Sequence, residues 1–100
     1  MKTIWKFEVP VTDEPVVMAP AGAVFLPTAV FPYPGSVGWL WAIVDSDAPK
    51  VRVRLRIVGA GHPLTEVGAY ITTAHSGPFV WHIFHAPARR VITPDERTTP

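Results

Sequence analysis

Cysteine and charge are both scarce in this 100-residue chain. The absence of cysteine excludes a disulfide framework and a thiolate zinc site, and it is typical of a protein from a reducing compartment. Charged residues make up 17% of the sequence and the formal net charge is +1, whereas soluble domains contain about 25% charged residues. So small a net charge provides no general attraction to nucleic acid or to an acidic membrane surface.

Long uninterrupted segments are also missing. No apolar run approaches the ~20 residues of a membrane-spanning helix, and Lys2, Lys6 and Glu8 interrupt the segment where a signal peptide would need its apolar core. Twelve prolines and seven glycines are spread so evenly that the longest stretch without either is 39–48. Because a proline costs a helix about 3 kcal/mol and a glycine about 1 kcal/mol, we expect little or no helix. We also expect a soluble protein that stays in the cytoplasm.

Short runs rich in β-branched and aromatic residues lie between these breakers. Such residues favour the pleated surface of a sheet. We predict strands over 3–9, 16–19, 23–31, 38–45, 51–58, 68–74 and 79–85. Seven short strands with this spacing are typical of a small antiparallel sandwich or barrel. The sequence therefore predicts a single all-β domain over residues 1–86 and a polar, proline-containing C-terminal tail over 87–100.

Proline and glycine also indicate where the chain turns. Pro20-Ala21-Gly22 suits a tight turn, and Ser76-Gly77-Pro78 is expected to close the last hairpin. Pro27 interrupts the third predicted strand, which is therefore either two short pieces or an edge strand.

The tryptophans provide the first candidate binding residues. The segment 39–44 is apolar on both faces, which favours a central strand or a strand covered by an oligomer interface. Trp39 and Trp41 on one face, together with Trp81 and Ile83, are expected to form an aromatic seam. Core packing is the default for such residues, but tryptophan is also a favoured interface anchor.

The arginines provide the second set of candidates. In 51–57 four aliphatic residues alternate with Arg52, Arg54 and Arg56, which predicts a strand with one buried and one wet face. The three guanidinium groups could bind phosphates or the carboxylates of a partner, or could be solvated and paired with acidic residues of adjacent strands. A partly exposed tryptophan beside these arginines is the expected place for a partner.

His62 is the third candidate, because it lies in the glycine-rich segment 59–63. A phosphate-binding loop would lead into a helix N-terminus, and the proline at 63 and glycine at 68 leave no room for one. The favoured interpretation is a wide turn. The alternative keeps His62 and nearby backbone amides as a ligand-binding corner.

No catalytic, cofactor or metal site is predicted. His82 and His85 are three residues apart on a predicted strand, so they point to opposite faces and cannot chelate one ion. We expect His82 to be half-buried with a hydrogen-bond partner, and the other histidines to be surface or turn residues. The acidic residues are explained by turns, and no serine lies in a nucleophile motif. An enzyme is not expected.

Four segments together carry a family resemblance: Ile4–Phe7, Leu40–Pro49, Arg56–Pro63 and Val80–Phe84. The combination of Leu-Trp-Ala with Asp-Ala-Pro and a Gly-His-Pro turn resembles short uncharacterised proteins of bacteriophages and prophages, especially those of actinobacteria. The likeness covers most of residues 3–85. It implies a phage origin, expression in the cytoplasm of a bacterial host and possible association with the virion, but assigns no role to any residue.

These observations favour a non-enzymatic phage accessory protein that binds another protein. The target is expected to be a host factor, a defence component or a phage particle protein. High apolar content and low charge also favour a homo-oligomer, because so small a domain has difficulty covering its own apolar surface. The alternative is a small-ligand module that sequesters a nucleotide or another anion with the arginines and His62.

Overall fold

The computed structural model describes residues 1–32 and 36–87, which form an all-β domain without a helix. The strands are β1 (Lys2–Pro10), β2 (Val16–Pro20), β3 (Val24–Val30), β4 (Val37–Asp45), β5 (Lys50–Gly59), β6 (Tyr70–Ser76) and β7 (Phe79–His85). The predicted fold class is confirmed, and each strand begins and ends within two residues of its predicted limits. In the described part of the chain, no helix is long and apolar enough to cross a membrane. The predicted tail over 87–100 lies, after its first residue, outside the described residues.

The strands form two antiparallel sheets. One sheet has the order β1-β4-β3 and the other the order β2-β5-β7-β6. Of the two predicted architectures this is the sandwich, in which β3 of the first sheet lies beside β6 of the second. β4 is the central strand of its sheet, which is one of the two alternatives predicted from its apolar sequence.

The core lies between the sheets and is built largely from alternate residues of the strands. Successive side chains of a strand point to opposite faces, so most strands bury one set, whereas β3 contributes only the partly buried Phe25 and Ala29. Leu40, Leu55 and Ile83 are completely buried at its centre. The surrounding core residues are Phe7, Val9, Val11, Val17, Ala19, Phe31, Ala42, Val44, Ile57, Ile71, Ala74 and Trp81.

The turns follow the predicted chemistry. Gly22 has a φ of +82°, and the amide of Ala23 donates to the carbonyl of Pro20 at 3.1 Å. Gly77, with a φ of +55°, lies in the two-residue turn between β6 and β7. Of the two alternatives predicted for the strand with Pro27, the edge strand is the one observed: β3 is a single strand at the edge of its sheet, with a register shift between Phe25 and Ala29.

The turn between β4 and β5 holds the start of β1. The amino group of Met1 lies 2.6 Å from a carboxylate oxygen of Asp47 and 3.0 Å from one of Asp45. Hydrogen bonds to Asp47 and then to Asp45 raise the pKa of this amine. The pKa of Asp45 is lowered, chiefly by the amide of Asp47 and then by the amine. These contacts hold β1 against β4 from its first residue.

Candidate functional site

The outer face of the three-stranded sheet is largely apolar. Because Leu40 and Ala42 point into the core, the alternating residues Trp39 and Trp41 lie on the opposite, outer surface of β4, where both are half-buried. Aliphatic residues of all three strands surround them and are 38–60% exposed. We call this surface the Trp face: Ile4, Lys6, Glu8, Val24, Val30, Val37, Trp39, Trp41 and Ile43.

Lys6 is the cation of the Trp face. Its ammonium nitrogen lies 4.1 Å from the ring centroid of Trp39 and 6.0 Å from that of Trp41. An ammonium group over an indole ring is attracted by the negative face of the ring. Glu8 is opposite Trp39 in the β1–β4 register. The two tryptophans are therefore held by a cation of the same face, with their remaining surface directed outward.

The arginines lie on the other outer surface of the sandwich. Arg52 and Arg54 are exposed on β5, opposite Met18 and Val16 of β2. Arg56 is partly buried, with a guanidinium nitrogen 3.0 Å from a carboxylate oxygen of Glu14 and another in contact with the hydroxyl of Thr65. Within residues 1–32 and 36–87, only Arg56 of the three forms an ion pair.

Two expected groupings of residues are wrong. The arginines and Trp39 with Trp41 belong to different sheets and to opposite outer faces, so no exposed tryptophan lies beside the arginines as predicted. The predicted seam is also absent, because Trp81 and Ile83 point into the core while Trp39 and Trp41 point away from it. Within each strand these residues share a face, as the alternation of the strand predicts. The groups are separated from one another because their strands belong to different sheets, and the sequence did not reveal which strands share a sheet.

His62 lies in an exposed turn after β5. The amide of His62 donates to the carbonyl of Gly59 at 3.1 Å, and Gly61 has a φ of +86°. No helix follows in the described residues, which agrees with the predicted turn and not with a phosphate-binding loop. The structure does place His62 and Arg56 in the lining of one cleft.

This cleft has a volume of about 330 Å³ and lies beside the C-terminal half of β5. It is lined by Asp13, Arg56, Ile57, Val58, His62, Pro63 and Thr65. Asp13 and Thr65 had no sequence signal as cleft residues, because they come from connections far from Arg56 in the chain. Only Arg56 of the three arginines reaches this cleft. The Nε of Arg56 is buried and has no hydrogen-bond partner among the described residues.

The remaining histidines have local roles. His82 is half-buried and its Nδ1 lies 3.1 Å from the hydroxyl of Thr73, as predicted. His85 is also half-buried, against the edge of Phe25 at 5.7 Å between ring centroids, rather than on the surface. Burial lowers the pKa of His85. Among the residues that the structure describes, no three histidine or acidic side chains converge to hold a metal ion.

Comparison with known proteins gives one match. A family model covers residues 1–93, nearly the whole chain. Searches of curated proteins and of solved structures gave no significant match. Membership of an uncharacterised family, which the sequence resemblance implied, is therefore confirmed: the chain belongs to a family described as a domain of unknown function, DUF7352.

Proposed function

We propose that this domain binds another protein through the Trp face. The observation that carries the proposal is an apolar outer sheet surface on a domain whose core is already complete between the sheets. Ile4, Val24 and Val30 are each more than half exposed on this surface. The partner that fits it is a protein surface rich in aliphatic and aromatic side chains.

The size of the Trp face suits such contact. With strands about 4.8 Å apart and a rise of about 3.4 Å per residue, three strands give a face of roughly 400 Å². Lys6 and Glu8 occupy part of this area, and the apolar remainder approaches the size of the largest apolar patches on monomers, about 300–600 Å², which are often functional. Since each square ångström of buried apolar surface contributes about 25 cal/mol, covering the face stabilises a complex substantially. Trp39 and Trp41 at its centre are the residue type that most often dominates binding energy.

The family resemblance supplies the biological setting of this proposal. A small phage accessory protein of this kind acts in the cytoplasm of a bacterial host or on the phage particle, and its target is a host factor, a defence component or a particle protein. We propose that the protein binds this target as a homo-oligomer and catalyses no reaction. The low charge and high apolar content of the chain support the oligomer.

A photocrosslinking residue at Val30 tests the Trp face. Val30 is 54% exposed there, and Met18 is 52% exposed on the opposite outer face, so the two positions form a matched pair. In an actinobacterial host we expect a discrete crosslinked product with a second protein from position 30 and none from position 18. Replacing both tryptophans, Trp39→Ala with Trp41→Ala, should reduce that product at least tenfold, because anchor residues contribute about 2 kcal/mol or more each.

The melting temperature of the tryptophan variant is the control for folding. Loss of the product with an intact cooperative transition supports binding by the Trp face. Equal products from positions 18 and 30, or a product that survives removal of both tryptophans, would contradict the proposal.

A second candidate function is anion binding in the cleft between Arg56 and His62. One observation favours it: the cleft is lined by a guanidinium group and an imidazole. A phosphate oxygen suits such a donor. Asp13 and Glu14 lie close by and oppose an anion, so a ligand that also donates hydrogen bonds, as a nucleotide does, fits better than free phosphate.

Calorimetry with a panel of nucleotides tests this candidate. We expect Arg56→Gln and His62→Gln to weaken binding, with Arg56→Gln raising the Kd at least tenfold because a hydrogen bond to a charged group contributes about 1.5–3 kcal/mol. Arg52→Gln is the control, since Arg52 is on the same strand but outside the cleft. No heat with any nucleotide, or an equal loss in the Arg52 variant, rejects the candidate.

A further inference from the structure

Within residues 1–32 and 36–87 no strand pairs with the outer edge of β1, and this free edge differs from the other described sheet edges of the sandwich. β1 runs for nine residues and pairs continuously with β4 from Lys2 to Pro10. It has no register shift, and its only proline is its last residue. Unprotected strands of this length are templates for pairing with another chain.

The other three edge strands carry protective features. β3 contains Pro27 and a register shift, β2 has only five residues and ends in Pro20, and β6 has a register shift after Tyr70 and lies beside β3. Prolines, bulges and short length are the means by which natural proteins prevent edge pairing. β1 also ends in a proline and carries Lys2 and Lys6, but it is the longest of the four edges and has neither a proline within its length nor a register shift.

The hydrogen bonds at the two ends of β1 show which backbone groups face this edge. The amide of Val11 donates to Ser36, and the amide of Ser46 donates to Met1. Both pairs continue the β1–β4 register, so odd-numbered residues of β1 bond to β4. The N–H and C=O groups of Lys2, Ile4, Lys6 and Glu8 therefore point to the free edge.

We propose that β1 pairs antiparallel with β1 of a second copy around a twofold axis at Trp5. This inference deepens the proposed homo-oligomer by naming its interface, and it leaves the Trp face open to a different partner. In this register Lys2 is opposite Glu8 of the second copy, and Ile4 is opposite Lys6. Every edge-facing amide from Lys2 to Glu8 then finds a carbonyl, and two pairs of opposite charges lie directly across the interface.

The nearby registers are worse. An axis at Ile4 places Lys2 opposite Lys6 of the second copy and an axis at Lys6 places Lys6 against Lys6, and like charges directly opposite are destabilising. An axis at Phe7 places Pro10 opposite Ile4 in a hydrogen-bonded position, and proline has no N–H to donate. The register with its axis at Trp5 places opposite charges across the interface and also gives every edge-facing amide from Lys2 to Glu8 a carbonyl partner.

Proline at position 4 tests the interface without disturbing the monomer. Because the amide of Ile4 faces the free edge, Ile4→Pro removes no bond to β4 but removes bonds to the second copy. We expect sedimentation to show a dimer for the unaltered protein and at least a tenfold higher dimer Kd for the Ile4→Pro variant. A monomer at several hundred micromolar protein, or an unchanged Kd in a folded Ile4→Pro variant, overturns the proposal.

Charge exchange tests the register, and it serves even where the proline variant fails to fold. Glu8→Lys alone should weaken the dimer by placing Lys2 opposite a second lysine, and Lys2→Glu in the same chain should restore it. Restoration by Lys6→Glu in place of Lys2→Glu would contradict the axis at Trp5 and indicate the axis at Phe7.

Disulfide formation gives an independent readout, since the chain has no cysteine of its own. Residue 5 meets its own copy across the axis at about 4.5 Å between Cα atoms, whereas residue 3 is opposite residue 7. Under mild oxidation Trp5→Cys should form a covalent dimer much faster than Thr3→Cys. Equal rates would reject this register. These dimer measurements do not depend on the photocrosslinked partner. A negative crosslinking result would therefore contradict only the proposal for the Trp face, and a negative dimer result only the proposal for β1.

Discussion

Replacing Ile83 by alanine is expected to lower the free energy of unfolding by about 2–5 kcal/mol. Ile83 is completely buried on β7, opposite Ile57 on one side and Thr72 on the other. Its removal leaves a cavity between two sheets that cannot both relax into it. Since small domains are stable by only about 5–15 kcal/mol, urea unfolding should show a much lower midpoint.

Ile43→Ala is the matched control for this prediction. Ile43 is also an isoleucine in the interior of a strand, but it is 38% exposed on the Trp face. Its replacement should change the free energy of unfolding by less than about 1 kcal/mol, because surface substitutions outside special sites cost little. Similar losses at positions 43 and 83 would show that the Trp face is part of a core, and the proposed function would lose its basis.

Gly38→Ala is expected to have the second largest effect on stability. A β-carbon at Gly38 would lie 2.5 Å from the Cδ1 of Phe31, whose ring is almost completely buried over β4. The ring is enclosed in the core and β4 is paired on both sides, so relief of this contact requires neighbouring residues to shift as well. Overpacking of this kind costs about 1–3 kcal/mol, and thermal unfolding should report it as a lower Tm.

A double-mutant cycle identifies the cause. In a Phe31→Leu background the added methyl group has more space, so Gly38→Ala should cost clearly less there than in the unaltered protein. An equal cost in both backgrounds would mean that the ring of Phe31 does not occupy the space above Gly38.

The proposed dimer and the Trp face have a joint consequence. Pairing of β1 with β1 of a second copy joins two three-stranded sheets edge to edge, because each β1 is bonded to β4 on its other side. The outer surfaces of the two three-stranded sheets then lie on the same side of the joined sheet and form one continuous surface. The dimer would present two Trp faces side by side, which favours a partner that is itself repeated or symmetrical.

The strands could be predicted because their signals are local. Proline and glycine exclude helix wherever they occur, and the alternation in Val51–Ile57 predicts which side chains are buried along β5. The structure confirms the absence of helix in the described residues and the burial of Leu55 and Ile57, whereas Val51 at the start of β5 is 41% exposed. The central position of β4 was one of two alternatives predicted for residues 39–44, which have no polar face.

The candidate sites could not be assembled in the same way. The sequence indicated Trp39, Trp41, the three arginines and His62 separately, but grouped the tryptophans with the arginines. It also missed Ile4, Val24, Val30 and Ile43 as neighbours of the tryptophans. They come from other strands, and the only usable signal was that β4 is apolar on both faces. The approach of Arg56 to His62 depends on how the connection after β5 folds back.

The sequence by itself determined the all-β class, the positions of seven strands and the turns between them, because each depends on backbone preferences of a few neighbouring residues. Only the tertiary structure decided which strands share a sheet, that Trp39 and Trp41 face outward while Trp81 faces inward, and that β1 has a free edge. Those features depend on pairing between distant segments, where the register and the sheet assignment are set by packing of the whole core. A period of two along a strand separates two faces but does not say which of them the rest of the chain will cover.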